Sequence, residues 1–140
     1  RGLFSASDSA GNNEFEPWAG STGGIQLVTC KAGTNTQELS SGAGTFNTTA
    51  WNCVAWASNG STTFCDANGE PKTLTVGGTS SNNGDWIGDL NSINNFSIGS
   101  LRRATSVYFT GDIGLVLYYN LFKPLVERQN IYLATKWRYQ

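Results

Sequence analysis

The chain contains no histidine. Ser-His-Asp and Cys-His nucleophile systems, histidine general bases and histidine-ligated zinc are therefore outside its chemistry. It contains no methionine either. A complete translation product carries its initiator, so Arg1 is expected to follow a removed leader or to lie within a longer protein. Charge is scarce: 14% of the 140 residues are Asp, Glu, Lys or Arg, where an average soluble domain has roughly 25%. No apolar run is long enough for a membrane-spanning helix, so no membrane insertion is expected. The glycine runs at Gly42, Gly44 and Gly77-Gly78 match neither the dinucleotide nor the P-loop phosphate-binding pattern.

Polarity is carried instead by Ser, Thr, Asn and Gly. That composition suits short strands joined by tight turns, and it recurs in secreted and virion-surface β-proteins. With 39% hydrophobic residues over 140 positions, the chain is one domain with enough apolar mass for a core. The net charge of −1 argues against nucleic acid as a partner. The charge is also segregated. From residue 101 onward six basic residues face two acidic ones, a balance of +4; before it three basic face eight acidic, a balance of −5. The two parts can neutralise each other within one chain or meet head to tail between copies.

The hydrophobic pattern predicts an all-β fold, an antiparallel sandwich or jelly roll with at most one short helix. Residues 1–24 have no period and carry Phe4, Phe15 and Trp18, so they read as an extended arm; residues 25–140 form the sandwich domain. Ile25, Leu27 and Thr29 alternate as in a half-buried strand, and residues 31–44 read as a polar loop. Asn59-Gly60 and Asn68-Gly69 mark hairpins. Trp86, Leu90, Ile93 and Phe96 are spaced for a short surface helix or helical turns. The C-terminal part is expected to supply the central strands. Residues 113–122 are apolar on both parities, and Ile131, Leu133, Trp137 and Tyr139 alternate with charged residues. A three-residue loop at residues 58–60 would set Cys53 opposite Cys65, which predicts a disulfide between them and leaves Cys30 odd. Cys30 with either of the others is the alternative pairing.

Candidate chemistry is thin. Asp66, Asn68 and Glu70 resemble a calcium loop superficially, but the glycine comes too early and the hairpin explains the same residues, so no metal site is expected. Glu14 with Glu16, or Asp85 with Asp89, would make a glycosidase pair only if both faced one cleft. Arg102-Arg103 point to opposite faces of an expected strand and make a weak anion site. No cofactor and no catalytic residue are expected. Trp51 and Trp137 read as core, whereas Trp18 and Trp86 lie in irregular segments. Trp18, Asn83, Asp85, Trp86 and Asp89 form the candidate binding surface, with a glycan as its ligand. Phe15, Trp18, Ile113, Leu115, Leu117 and Tyr119 form the candidate subunit interface.

These features lead to a non-enzymatic structural or recognition domain, extracellular or on a virion surface, that self-assembles into a homo-oligomer or polymer. A fibre or spike tip, a capsid subunit or a pilus-type filament subunit would use them. A lectin-like glycan-binding module is the alternative, and a small secreted carboxylate hydrolase comes last.

Overall fold

The computed structural model describes residues 2–101 and 108–139. The expected anion site at Arg102-Arg103, and most of a strand expected over residues 104–109, lie outside the described residues. Among the described residues nine strands run in chain order: β1 (Phe4–Ser7), β2 (Glu14–Ala19), β3 (Ile25–Lys31), β4 (Thr34–Ser40), β5 (Val54–Ser58), β6 (Thr63–Ala67), β7 (Glu70–Lys72), β8 (Thr75–Val76) and β9 (Asn95–Ile98). A 3-10 turn at Ile87–Asp89 separates β8 from β9, and one helix, α1 (Leu125–Thr135), follows near the end. The strands form a six-stranded sheet in the order β8-β4-β3-β2-β1-β9 and a three-stranded sheet in the order β5-β6-β7. Every pairing is antiparallel. The fold is an all-β sandwich, as its sequence pattern predicts.

Period-two alternation decides which residues meet between the sheets. Phe15 lies opposite Thr29 and Pro17 opposite Leu27, while Leu27 in turn faces Leu39, so these side chains share one face. That face buries Ala6, Phe15, Ile25, Leu27 and Leu39. Against it sit Cys65 and Ala67 of β6, with Trp56 packed against both apolar clusters. Leu74 also touches both clusters. It lies where the chain leaves β7 in one sheet and enters β8 in the other, so a single apolar residue pins the crossover. At Asn68-Gly69 both residues have positive φ, 53° and 78°, which is the type I′ two-residue turn that matches strand twist.

The segment expected as an arm is part of the sheet. Its residues form β1 and β2, and β2 pairs with β3 over six positions. Phe15 is accordingly a core residue, only 3% exposed. The polar loop expected at residues 31–44 contains β4, whose buried positions are Gln37 and Leu39. Of the helical turns expected there, one 3-10 turn forms at Ile87–Asp89; Trp86 and Leu90 flank it in extended conformation, and Phe96 lies on β9 instead.

The C-terminal part departs most from expectation. Residues 113–122 form no strand: among the described residues the last strand, β9, ends at Ile98, and the central positions of the six-stranded sheet belong to β2 and β3. The final stretch is helical. Leu, Glu, Arg, Gln and Ala are good helix formers, and Pro124 stands at the N-cap, where its missing N–H costs nothing. Arg128, Ile131, Tyr132 and Thr135 have the helical spacing and, with Gln129, are the less exposed positions. Trp137 is 66% exposed and Trp51 is 49% exposed, so neither is a core residue.

The Cys53–Cys65 disulfide does not form. Ser58 pairs with Thr63, so the loop holds four residues, and Trp56 lies opposite Cys65. The Asn59 side chain sets this length: its Oδ1 accepts from the N–H of Ser61 (3.0 Å) and Thr62 (2.9 Å). Cys53 meets Asn68 instead, through its N–H to Asn68 Oδ1 (2.9 Å). No disulfide links any two of the three cysteines. Burial, and then the charge of Asp66, pushes the Cys65 thiol up to about 12 and raises Cys53 as well. Both stay protonated at neutral pH and are poor nucleophiles. Non-reducing mass spectrometry should therefore find three alkylatable thiols. Cys53, half-buried, should label first; Cys30 and Cys65 should label only on unfolding. Loss of two protons from the native mass would show a bridge and contradict this register.

Candidate functional site

The loop between β8 and the 3-10 turn contains Asn83, Asp85 and Trp86, three of the five candidate binding residues. It is pinned at nearly every position. Gln37, fully buried on β4, donates from Nε2 to the Asp85 carbonyl (2.7 Å) and to Thr29 Oγ1 (3.3 Å). Its Oε1 accepts from the Gly84 N–H (3.1 Å) and from Thr63 Oγ1 (3.0 Å) on the opposite sheet. One amide thus uses its donors and its acceptor to join both sheets and the loop. Asn82 adds a second clamp on Thr63, accepting from its N–H (2.7 Å) and donating to its carbonyl (3.0 Å). Gly84 sits at φ 77° in close approach to β6's preceding turn, where an added Cβ would meet the Ser61 nitrogen at 2.4 Å.

The Asp85 carboxylate is occupied as well. It pairs with Lys31 and accepts from Asn83 Nδ2 (3.0 Å). Burial pushes this carboxyl up, but hydrogen bonds from Lys31, Thr36 and Asn83, together with the Lys31 charge, hold it below the ordinary 3.8. Trp86 packs edge-on against Phe15, with ring centroids 4.6 Å apart. Asp89 caps its own turn by accepting from the Trp86 N–H (2.8 Å). Trp18 has the opposite parity to Phe15 on β2, so it lies on the other face of the six-stranded sheet from Trp86. The five candidate residues therefore do not form one surface. The four that stay together do structural work. Neither carboxylate pair faces an open cleft: Glu14 and Glu16 share the Trp18 side of β2 but are both fully buried, whereas Asp89 is turned into its cap and Asp85 is held by Lys31.

A second constellation lies on the outer face of the three-stranded sheet. Asp66 and Phe64 alternate with the inward-facing Cys65, so they point away from the six-stranded sheet. Helix α1 covers them. Arg128 forms a two-pronged pair with Asp66, Nε to Oδ2 and Nη2 to Oδ1 (3.0 Å), and donates from Nη1 to the Lys123 carbonyl (2.6 Å). The side chains are 7% and 3% exposed. Arg128 also lies over the Phe64 ring, 5.8 Å from its centroid, and Gln129 Nε2 donates to the Gly69 carbonyl (3.1 Å). This pair joins the acidic and the basic parts of the chain intramolecularly. Asp66, Asn68 and Glu70 consequently have three different environments: under the helix, in the turn, and exposed.

Beside this helix runs an open apolar groove of about 770 Å³. One wall is β5, with Val54 and Trp56; the other is residues 113–122, with Leu115, Leu117 and Tyr119. Of the expected interface residues, Ile113 is half-buried while Leu115, Leu117 and Tyr119 are exposed. Around them Tyr118 is 60% and Leu121 72% exposed. Phe15 lines the groove only from the core, where it is 3% exposed, and Trp18 is not among the lining residues, so neither is part of an exposed interface there. The walls of this groove are chiefly aromatic and aliphatic.

Sequence reasoning missed Gln37, Thr63 and Arg128. The detectable signal for Arg128 was the helical spacing of Arg128, Tyr132 and Thr135. No local signal marks Gln37, whose role depends on what the opposite sheet places against it.

No family model and no curated protein matches this chain. Among solved structures, an S-layer domain-containing protein from Clostridium thermocellum is similar with a TM-score of 0.47 and 20% identity. The match covers 94% of this chain and 62% of that one, so this chain spans less than two thirds of its length. A likeness at that level carries no functional argument.

The Asp85 latch makes a pH-dependent contribution to stability. Its folded value lies below the ordinary 3.8, so the contribution is complete above that value and is lost as pH falls through the folded one. Denaturant unfolding of Asp85→Asn should show a shallower loss of stability than the parent below about pH 4. Gln37→Ala should cost about 2–3 kcal/mol at neutral pH, because it leaves several buried groups unpaired. Parallel acid limbs for the parent and Asp85→Asn would contradict the role given to Asp85.

Proposed function

We propose that this protein is a non-enzymatic structural domain that assembles with copies of itself through its C-terminal apolar surface. The observation that carries the reading is the exposure of residues 115–122, a stretch without a charged side chain in which Leu117 is 50% and Leu121 72% exposed. Contiguous apolar surface of this kind marks contact sites on folded proteins. Moving each of several leucines from water into an interface favours association by about 1.5–3 kcal/mol before the costs of ordering.

An extracellular or virion-surface location goes with this reading on composition, from the low charge and the Ser, Thr, Asn and Gly content. The glycan-binding alternative loses support, because its two tryptophans lie on opposite faces of a sheet. Assembly in this reading is not through disulfides, since Cys30 and Cys65 are buried and Cys53 is half-buried.

Light scattering over a concentration series tests the reading. The wild type should rise above the 15.0 kDa of one chain, equally with and without reductant. Leu117→Asp with Leu121→Asp should hold it at that mass. A wild type that stays monomeric at every concentration would overturn the proposal.

A further inference from the structure

We infer that the copies join by strand addition, with residues 113–122 of one chain pairing along the free edge of β5 in a second. This inference rests on the assembly reading above and specifies its contact. Two unsatisfied backbones point to it. Among the described residues, residues 113–122 form no backbone hydrogen bond, either to one another or to a strand. β5 ends the three-stranded sheet, and among the described residues no backbone hydrogen bond reaches it from outside that sheet. Free backbone groups on an uncharged apolar stretch are a template for pairing with another chain.

The other sheet edges are less suited. β7 carries Glu70, Pro71 and Lys72, which are the charges and the proline that block edge pairing. β8 is only two residues long. At the end of β9 the chain itself returns, with Ser100 bridged to Tyr108 and the Gly99 carbonyl accepting from Phe109 (2.7 Å). β5 runs Val54, Ala55, Trp56, Ala57, Ser58, with no charge and no proline.

The side-chain pattern of the donor fits this position. Residues 113–122 are apolar on both parities, which is the pattern of a strand covered on both faces. The three-stranded sheet is covered on both faces, by the six-stranded sheet on one side and by α1 on the other. A strand added beside β5 enters that middle layer. The groove is already open there, with β5 as one wall and the chain's own residues 113–122 as the other. A second copy can therefore insert its segment while its own groove receives the first, so the exchange is reciprocal.

Hydrogen exchange of the full chain, dilute and assembled, tests the contact. Amides of residues 54–58 and 113–122 should slow together as the mass rises. Assembly with residues 113–122 still exchanging freely would overturn strand addition while leaving the assembly reading intact. Absence of assembly would overturn both. Protection that does not depend on concentration would show pairing within one chain and overturn the inference. Variants separate backbone pairing from apolar contact. Leu117→Pro with Tyr118→Pro should weaken association about tenfold more than Leu117→Ala with Tyr118→Ala, since only the prolines remove pairing N–H groups. The dilute proline variant should unfold at the wild-type temperature, because those N–H groups are unpaired in the single chain. Equal weakening by the alanine and proline variants would also overturn the inference.

Discussion

Asp66 and Arg128 form an ion pair almost out of reach of water, and the arrangement of the C-terminal third depends on it. Burying either charge alone would cost several kcal/mol. Two prongs to one carboxylate, and a third donor to the Lys123 carbonyl, leave little of the guanidinium unsatisfied. The pair fixes α1 over the outer face of β6 in one register, since an arginine fork accepts a carboxylate only in its own plane. Tyr132 then meets Gly69, where an added Cβ would lie 2.6 Å from the ring, so the same glycine that permits the type I′ turn also admits the helix. Residues 113–122 end at that anchor. Phe122 rests on Phe64, with centroids 5.8 Å apart, and the chain before it lines the groove.

The sandwich beneath is held differently. Its centre combines Leu27, Leu39, Phe15 and Ile25 with the Gln37 amide, which ties both sheets to the loop carrying Asp85. Apolar contacts give this core its bulk, and the amide gives it one alignment, because a slipped register would leave buried donors without acceptors. None of these groups comes from beyond residue 98. The N-terminal strands close the fold, and the C-terminal part is added to its outside. This division explains how so apolar a stretch remains on the surface: the core offers it no vacant position.

How far the sequence disclosed this follows from which residues signal locally. β3 was legible because Ile25, Leu27 and Thr29 alternate, and the Asn68-Gly69 hairpin because its turn chemistry is specific. β4 was hidden, since Thr, Asn and Gln fill a strand whose single buried aliphatic is Leu39. The C-terminal helix was misread because Ile131, Leu133, Trp137 and Tyr139 share a parity by coincidence, while Arg128 is buried through an acid 62 positions away. The β5–β6 register turned on one side chain, Asn59, whose two bonds lengthen the loop. Of the candidate site, the apolar segment at Leu115, Leu117 and Tyr119 was visible as composition. Its exposure was not, since exposure is a property of the whole packed chain.

The account's central claim is that a self-sufficient two-sheet core presents the C-terminal part from outside through one buried ion pair. Amide exchange of Arg128→Ala at low concentration tests it most directly. The claim predicts that amides of α1 lose protection about tenfold or more, as expected when a buried partner is removed, while those of β3 exchange as in the parent. Simultaneous loss of protection in α1 and β3 would show that the core needs the helix, and unchanged protection in both would show that the pair anchors nothing; either result would contradict the account.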